Sequence, residues 1–140
     1  MQRREFLKAS CNVCLLGAAG IIFPQLTGCA ATQGAYTTEV ANKMVTIPVS
    51  LFDKYAIQLV RPKGWYYDIA VQKNENNTYS ALLLQCTHQE NQLTKSGNGY
   101  SCSLHGSQFD DAGNVTKGPA VQALQRYTTT INNNELIIHL

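Results

Sequence analysis

Two short pairings of cysteine with histidine constrain this chain more than anything else in it. Cys86-Thr87-His88 is followed, after thirteen residues, by Cys102-Ser103-Leu104-His105. Gly97 and Gly99 stand in the connecting stretch and mark its turn. Two thiolates and two imidazoles suit zinc or iron. The one-residue gap of the first pair is unusual for a structural zinc finger, whose half-sites begin with Cys-x2-Cys.

Five cysteines are present in 140 residues. Cys11 and Cys14 lie in the N-terminal segment, Cys86 and Cys102 are candidate ligands, and Cys29 stands apart, so no pair remains in the body for a structural disulfide. The length suits one domain. Charge is uneven: residues 1–28 carry Arg3, Arg4 and Lys8 against Glu5, while acidic and basic residues balance in the remainder. The body therefore offers no basic footprint for nucleic acid or anionic lipid.

The two pairs resemble the binding boxes of the Rieske iron-sulfur family. The first box is Cys86-Thr87-His88, and the second runs from Cys102-Ser103-Leu104-His105 through Gly106-Ser107-Gln108-Phe109. Gly118-Pro119-Ala120 resembles the loop that covers the cluster in that family. The resemblance implies a 2Fe-2S cluster, with Cys86 and Cys102 on the buried iron and His88 and His105 on the outer one. A tetrahedral zinc on the same four residues is the alternative. The implied fold is all-β: a Rieske-like antiparallel β-sandwich with a small cluster-binding subdomain of two loops.

The resemblance also carries tuning residues. In high-potential members a serine two residues after the second histidine donates to a bridging sulfide, and a tyrosine two residues later donates to a cysteine sulfur. Here these are Ser107 and Phe109, so one donor is kept and one is lost. The implied reduction potential lies within the family range of about −150 to +300 mV, below the quinol-oxidising members and above the dioxygenase ferredoxins. The disulfide cysteines of the cytochrome bc branch correspond to Asn91 and Leu104, leaving packing and hydrogen bonds to hold the loops.

Residues 1–28 read as an export signal. Arg3-Arg4-Glu5-Phe6-Leu7-Lys8 resembles a twin-arginine motif, with Gln2 where serine or threonine is usual. The following apolar stretch, residues 9–23, has the length of a signal-peptide core and is short of the ~20 residues that span a bilayer. Leu26-Thr27-Gly28-Cys29 resembles a bacterial lipobox, which makes Cys29 the lipidated first residue of the mature protein. Residues 29–42 are small and polar and read as a flexible tether, and 43–140 as the cluster domain.

In the body, residues 44–47, 55–60, 65–72, 79–85 and 107–110 read as strands, with a hairpin of 124–131 and 135–140 across Asn132-Asn133-Asn134. Residues 81–84 are expected to be buried, Trp65-Tyr66-Tyr67 to be core and strand surface, and His139 to be without chemistry. No internal repeat is visible.

The expected function is that of a membrane-tethered one-electron carrier in the bacterial cell envelope, on the periplasmic or outer face. Its partners would be a redox-protein donor and acceptor, or a quinol. It reads as an electron-transfer protein or redox subunit rather than a stand-alone enzyme. The alternatives are the iron-sulfur subunit of a quinol–cytochrome c oxidoreductase, the ferredoxin of an aromatic-ring dioxygenase, and a zinc-stabilised binding module.

Overall fold

A computed structural model describes residues 34–140. The expected export signal, with its arginine pair, and Cys29 lie outside the described residues.

Twelve strands and one short 3-10 helix are present among these residues: β1 (Tyr36–Thr38), β2 (Val40–Ala41), β3 (Met44–Pro48), the helix Val49–Phe52, β4 (Ile57–Pro62), β5 (Ile69–Lys73), β6 (Tyr79–Leu83), β7 (Thr94–Ser96), β8 (Gly99–Ser101), β9 (Gln108–Asp110), β10 (Val115–Lys117), β11 (Arg126–Asn132) and β12 (Glu135–His139). The fold is all-β, as expected. Eight strands form one sheet in the order β1-β4-β5-β6-β11-β12-β3-β2, and four form a second, β10-β9-β8-β7.

The large sheet closes on itself. Its two edge strands, β1 and β2, are separated only by Glu39, so the chain steps directly from one edge to the other. The Thr38 hydroxyl donates to the Thr46 carbonyl at 3.2 Å across the join. Inward residues of strands from both halves, Val45, Ile47, Val60, Ile69, Val71, Leu136 and Ile138, share one core at 0% exposure. Alternation along β3 and β4 makes this possible, since every second side chain points the same way.

The continuous apolar run of residues 81–84 is buried throughout, as expected, and the structure gives the reason. Strands β5 and β6 lie between two cores. Ile69, Val71, Ala81 and Leu83 face the first, while Ala70 and Leu82 face a second, shared with Leu84, Leu93, Tyr100, Phe109, Ala120, Leu124, Cys86 and Cys102. A strand buried on both faces reads as an unbroken apolar run. The second core attaches the small sheet, and with it both ligand loops, to the large one.

Several expectations are corrected. Residues 36–38 and 40–41, within the expected tether, are strands: β1 pairs with β4 and β2 with β3. Their place comes from backbone pairing, because Tyr36 and Val40 are each 37% exposed and contribute little apolar burial. The β1–β4 pairing is parallel, the exception to the expected antiparallel arrangement. The strand expected over 65–72 begins only at Ile69. Trp65 N–H closes a turn onto the Pro62 carbonyl, and Asp68 N–H bonds the Gln92 side chain. The hairpin expected near the C-terminus is present as β11 and β12, joined at Asn133 and Asn134 with φ of 47° and 65°. Asparagine tolerates that left-handed conformation.

Strands β8 and β9 approach closely at Gly99, which pairs with Asp110. A methyl group there would run into the Phe109 carbonyl oxygen. Gly99→Ala is therefore expected to cost about 1–3 kcal/mol of stability, measured by denaturant unfolding, with the midpoint shifted and the slope unchanged.

Candidate metal centre

The two ligand loops are built alike, although no repeat is visible in their sequences. In the first, Cys86 N–H donates to the Asn91 carbonyl at 2.8 Å, and in the second Cys102 N–H donates to the Ser107 carbonyl at 2.8 Å. Each loop thus closes from a cysteine to the fifth residue after it. Each is flanked by a paired position, Gln85 with Gln92 and Ser101 with Gln108. Each turns through a left-handed residue four places after its cysteine: Glu90 with φ 27° and Gly106 with φ 81°. Glycine makes the second turn without strain. Glu90 lacks that freedom, and the Tyr67 hydroxyl holds its carbonyl at 2.6 Å.

Within this frame the sulfurs and imidazoles separate. Cys86 is 1% exposed and Cys102 3%, whereas His88 and His105 are exposed with ring centroids 5.0 Å apart. Burial pushes the Cys102 thiol up. The backbone N–H groups of Leu104 and His105, the Cys86 thiol and the Asn91 amide outweigh it, so Cys102 titrates below its ordinary value. The donors come as a sulfur pair and an imidazole pair. That donor set would suit two irons with one pair each.

The remaining expected residues surround the loops. Ser107 is fully buried, and its Oγ accepts the Ala120 N–H at 3.0 Å. A hydroxyl has one hydrogen to give, and accepting here leaves that hydrogen available. Phe109, 2% exposed, packs in the apolar cluster that contains both cysteines. Gly118 and Pro119 are exposed and joined by a cis peptide bond. The segment after them touches both loops, through Ala120 to Ser107 and through the Gln122 carbonyl, which accepts from the Thr87 hydroxyl at 2.7 Å. His139 lies away from the loops, with Nε2 2.9 Å from the Thr130 hydroxyl.

Sequence reasoning missed the residues that hold the first loop to the large sheet. Besides Tyr67, Asp68 N–H bonds Gln92 Oε1 at 3.1 Å, and the Asp68 carboxylate accepts from Arg61 Nε at 2.6 Å and Nη2 at 2.9 Å. No local signal marks them. It also missed Asn91, whose Nδ2 lies 3.6 Å from Cys102 Sγ. A signal for Asn91 did exist: it follows Cys86 by the same five residues that separate Ser107 from Cys102.

Comparison with known proteins agrees with this geometry. The profile of the Rieske [2Fe-2S] domain matches residues 38–128. No curated protein matches the chain. Among solved structures, the cyanobacterial plasma membrane Rieske protein PetC3 from Synechocystis PCC 6803 is 23% identical with a TM-score of 0.55, covering 65% of this chain and 93% of that one. A chain from the complex of reduced oxygenase and oxidized ferredoxin in carbazole 1,9a-dioxygenase is 19% identical with a TM-score of 0.52, covering 71% and 94%. A chain of a hyperthermophilic respiratory Complex III is 17% identical with a TM-score of 0.51, covering 96% and 99%. At these identities the solved structures establish the fold, and the profile establishes the family. The chain belongs to the Rieske [2Fe-2S] domain family, whose cofactor is a 2Fe-2S cluster.

Proposed function

We propose that this protein is a one-electron carrier of the cell envelope, with its cluster held by Cys86, His88, Cys102 and His105. The observation that carries this reading is the split in exposure: two sulfurs buried in an apolar core, two imidazoles at the surface beside each other. When bound, the cluster takes up and returns one electron. The chain's own part is to exclude water from the sulfurs, through Leu93, Tyr100, Phe109 and Ala120. It also presents the imidazole edges where a redox partner can approach. Burial and hydrogen bonds to the sulfurs then set the potential.

The test is voltammetry of the purified holoprotein together with EPR of its reduced form. A reversible one-electron wave and a signal of low average g are expected. Steady turnover of a quinol by the isolated protein, or stoichiometric zinc without iron in protein matured in its native host, defeats the reading.

The membrane attachment rests on Arg3-Arg4 and on Leu26-Thr27-Gly28-Cys29. Similarity of the fold to a plasma membrane Rieske protein is in keeping with it. Iron-sulfur clusters are assembled in the cytoplasm, and a chain threaded outward unfolded would lose its ligand geometry, so a route for folded proteins is expected. Lysine at both arginine positions is expected to trap cluster-bearing precursor inside the cell, read by fractionation. Cys29→Ala is expected to abolish incorporation of labelled fatty acid. Unimpaired export of the double variant would assign the general secretory route instead.

A further inference from the structure

Asn91 stands at a position that the family resemblance connects with a disulfide cysteine, and here it forms a different link. Its backbone carbonyl closes the first loop on Cys86 N–H at 2.8 Å, while its side chain reaches across to the second loop. Nδ2 lies 3.2 Å from the Gln92 carbonyl and 3.6 Å from Cys102 Sγ, a length that the larger radius of sulfur permits. A carboxamide nitrogen carries two hydrogens, one for each of these acceptors. The orientation of the amide is fixed by the same pair: turned over, Oδ1 would face a carbonyl oxygen and a sulfur, neither of which donates. Asn91 is half-buried, so the contact is partly shielded from competing water.

The likeness of the two loops gives this contact its meaning. Asn91 is to Cys86 what Ser107 is to Cys102, the fifth residue on and the acceptor of the cysteine's N–H. Of the two, Asn91 has its side-chain donor on the sulfur of the other loop. We infer that Asn91 is a positioning and potential-setting residue, whose amide donates to Cys102 Sγ and so stabilises the reduced cluster relative to the oxidised one. Phe109 lacks the hydroxyl that the family's high-potential members direct at a cysteine sulfur, and Asn91 supplies a sulfur donor from the opposite loop. A hydrogen bond to sulfur strengthens when reduction adds negative charge there, which raises the potential. The inference rests on the reading of Cys102 as a ligand.

The experiment is film voltammetry on the cluster-bearing full chain and two variants. Asn91→Leu keeps the branching and removes the donor. Asn91→Asp keeps the shape and replaces the donor with a negative acceptor. Relative to the parent, Asn91→Leu should weaken one-electron reduction about three- to tenfold, a tenfold change being about 59 mV, and Asn91→Asp should weaken it further. A parent-like potential in Asn91→Leu overturns the inference, including the case in which only Asn91→Asp moves, since charge alone would then explain it. A measurement on the unsubstituted protein guards against variants that lose the cluster. With asparagine labelled by 15N in its side chain only, pulsed EPR of the reduced holoprotein should show a weak 15N coupling, and its absence also overturns the inference. Cys102→Ser separates the two readings. Retention of a normal cluster there defeats the ligand assignment. Loss of the cluster there, with Asn91→Leu unmoved in potential, defeats the role of Asn91 alone.

Discussion

Cys86→Ala and Cys102→Ala are each expected to yield protein with essentially no bound iron, against two irons and two sulfides in the parent. Thermal stability should fall by more than about 10 °C. The stability loss comes from three sources. Each cysteine is a nearly fully buried member of the second core, so truncation leaves a small cavity among Leu84, Leu93, Tyr100 and Phe109. The two loops also lose the centre that joins them, and binding free energy of a metal centre is folding free energy. Finally, Asn91 Nδ2 loses its sulfur acceptor in Cys102→Ala. Together these exceed the ~1 kcal/mol of an ordinary substitution, and each kcal/mol lowers the midpoint of a domain this size by about 4–8 °C. His88→Ala and His105→Ala should also lose the cluster but cost the apoprotein little, because both rings are exposed. Iron and sulfide analysis beside calorimetry of all four variants decides the matter. A full cluster in any of them would remove that residue from the ligand set.

Ser107→Ala is expected to act in two ways at once. Its Oγ accepts the N–H of buried Ala120, and without it that donor has no partner in an apolar surrounding. A buried unsatisfied donor costs about 1–3 kcal/mol, so the variant should melt several degrees lower and loosen the segment that follows Gly118–Pro119. The hydroxyl's own hydrogen is the second effect. A net hydrogen bond to a charged acceptor is worth about 1.5–3 kcal/mol, and only the part that changes on reduction counts. The potential should therefore fall by some tens of millivolts to about 100 mV. Ser107→Thr, which keeps the hydroxyl, should recover most of the potential if the extra methyl is accommodated. Phe109→Tyr tests the lost donor from the other side: a raised potential means that the new hydroxyl reaches sulfur. An unchanged potential in Ser107→Ala would confine Ser107 to holding Ala120.

The candidate donors can be named without a structure, because ligand chemistry depends on residue type and short spacing, both of which are local. The same holds for the all-β class and for the burial of residues 81–84, since apolar patterning and β-branched runs act over a few residues. Tyr67 against Glu90, Ala120 against Ser107 and Asn91 against Cys102 were settled only by the tertiary structure. In each case the partner lies eleven or more residues away, and no local preference selects it. The same is true of residues 36–41, whose polar composition suggested a tether and whose backbone groups found strands at both edges of a closing sheet. A hydrogen-bonding side chain can satisfy itself with water or with many partners. Which one it takes is decided by the packing that brings the loops together, and that packing is a property of the whole chain.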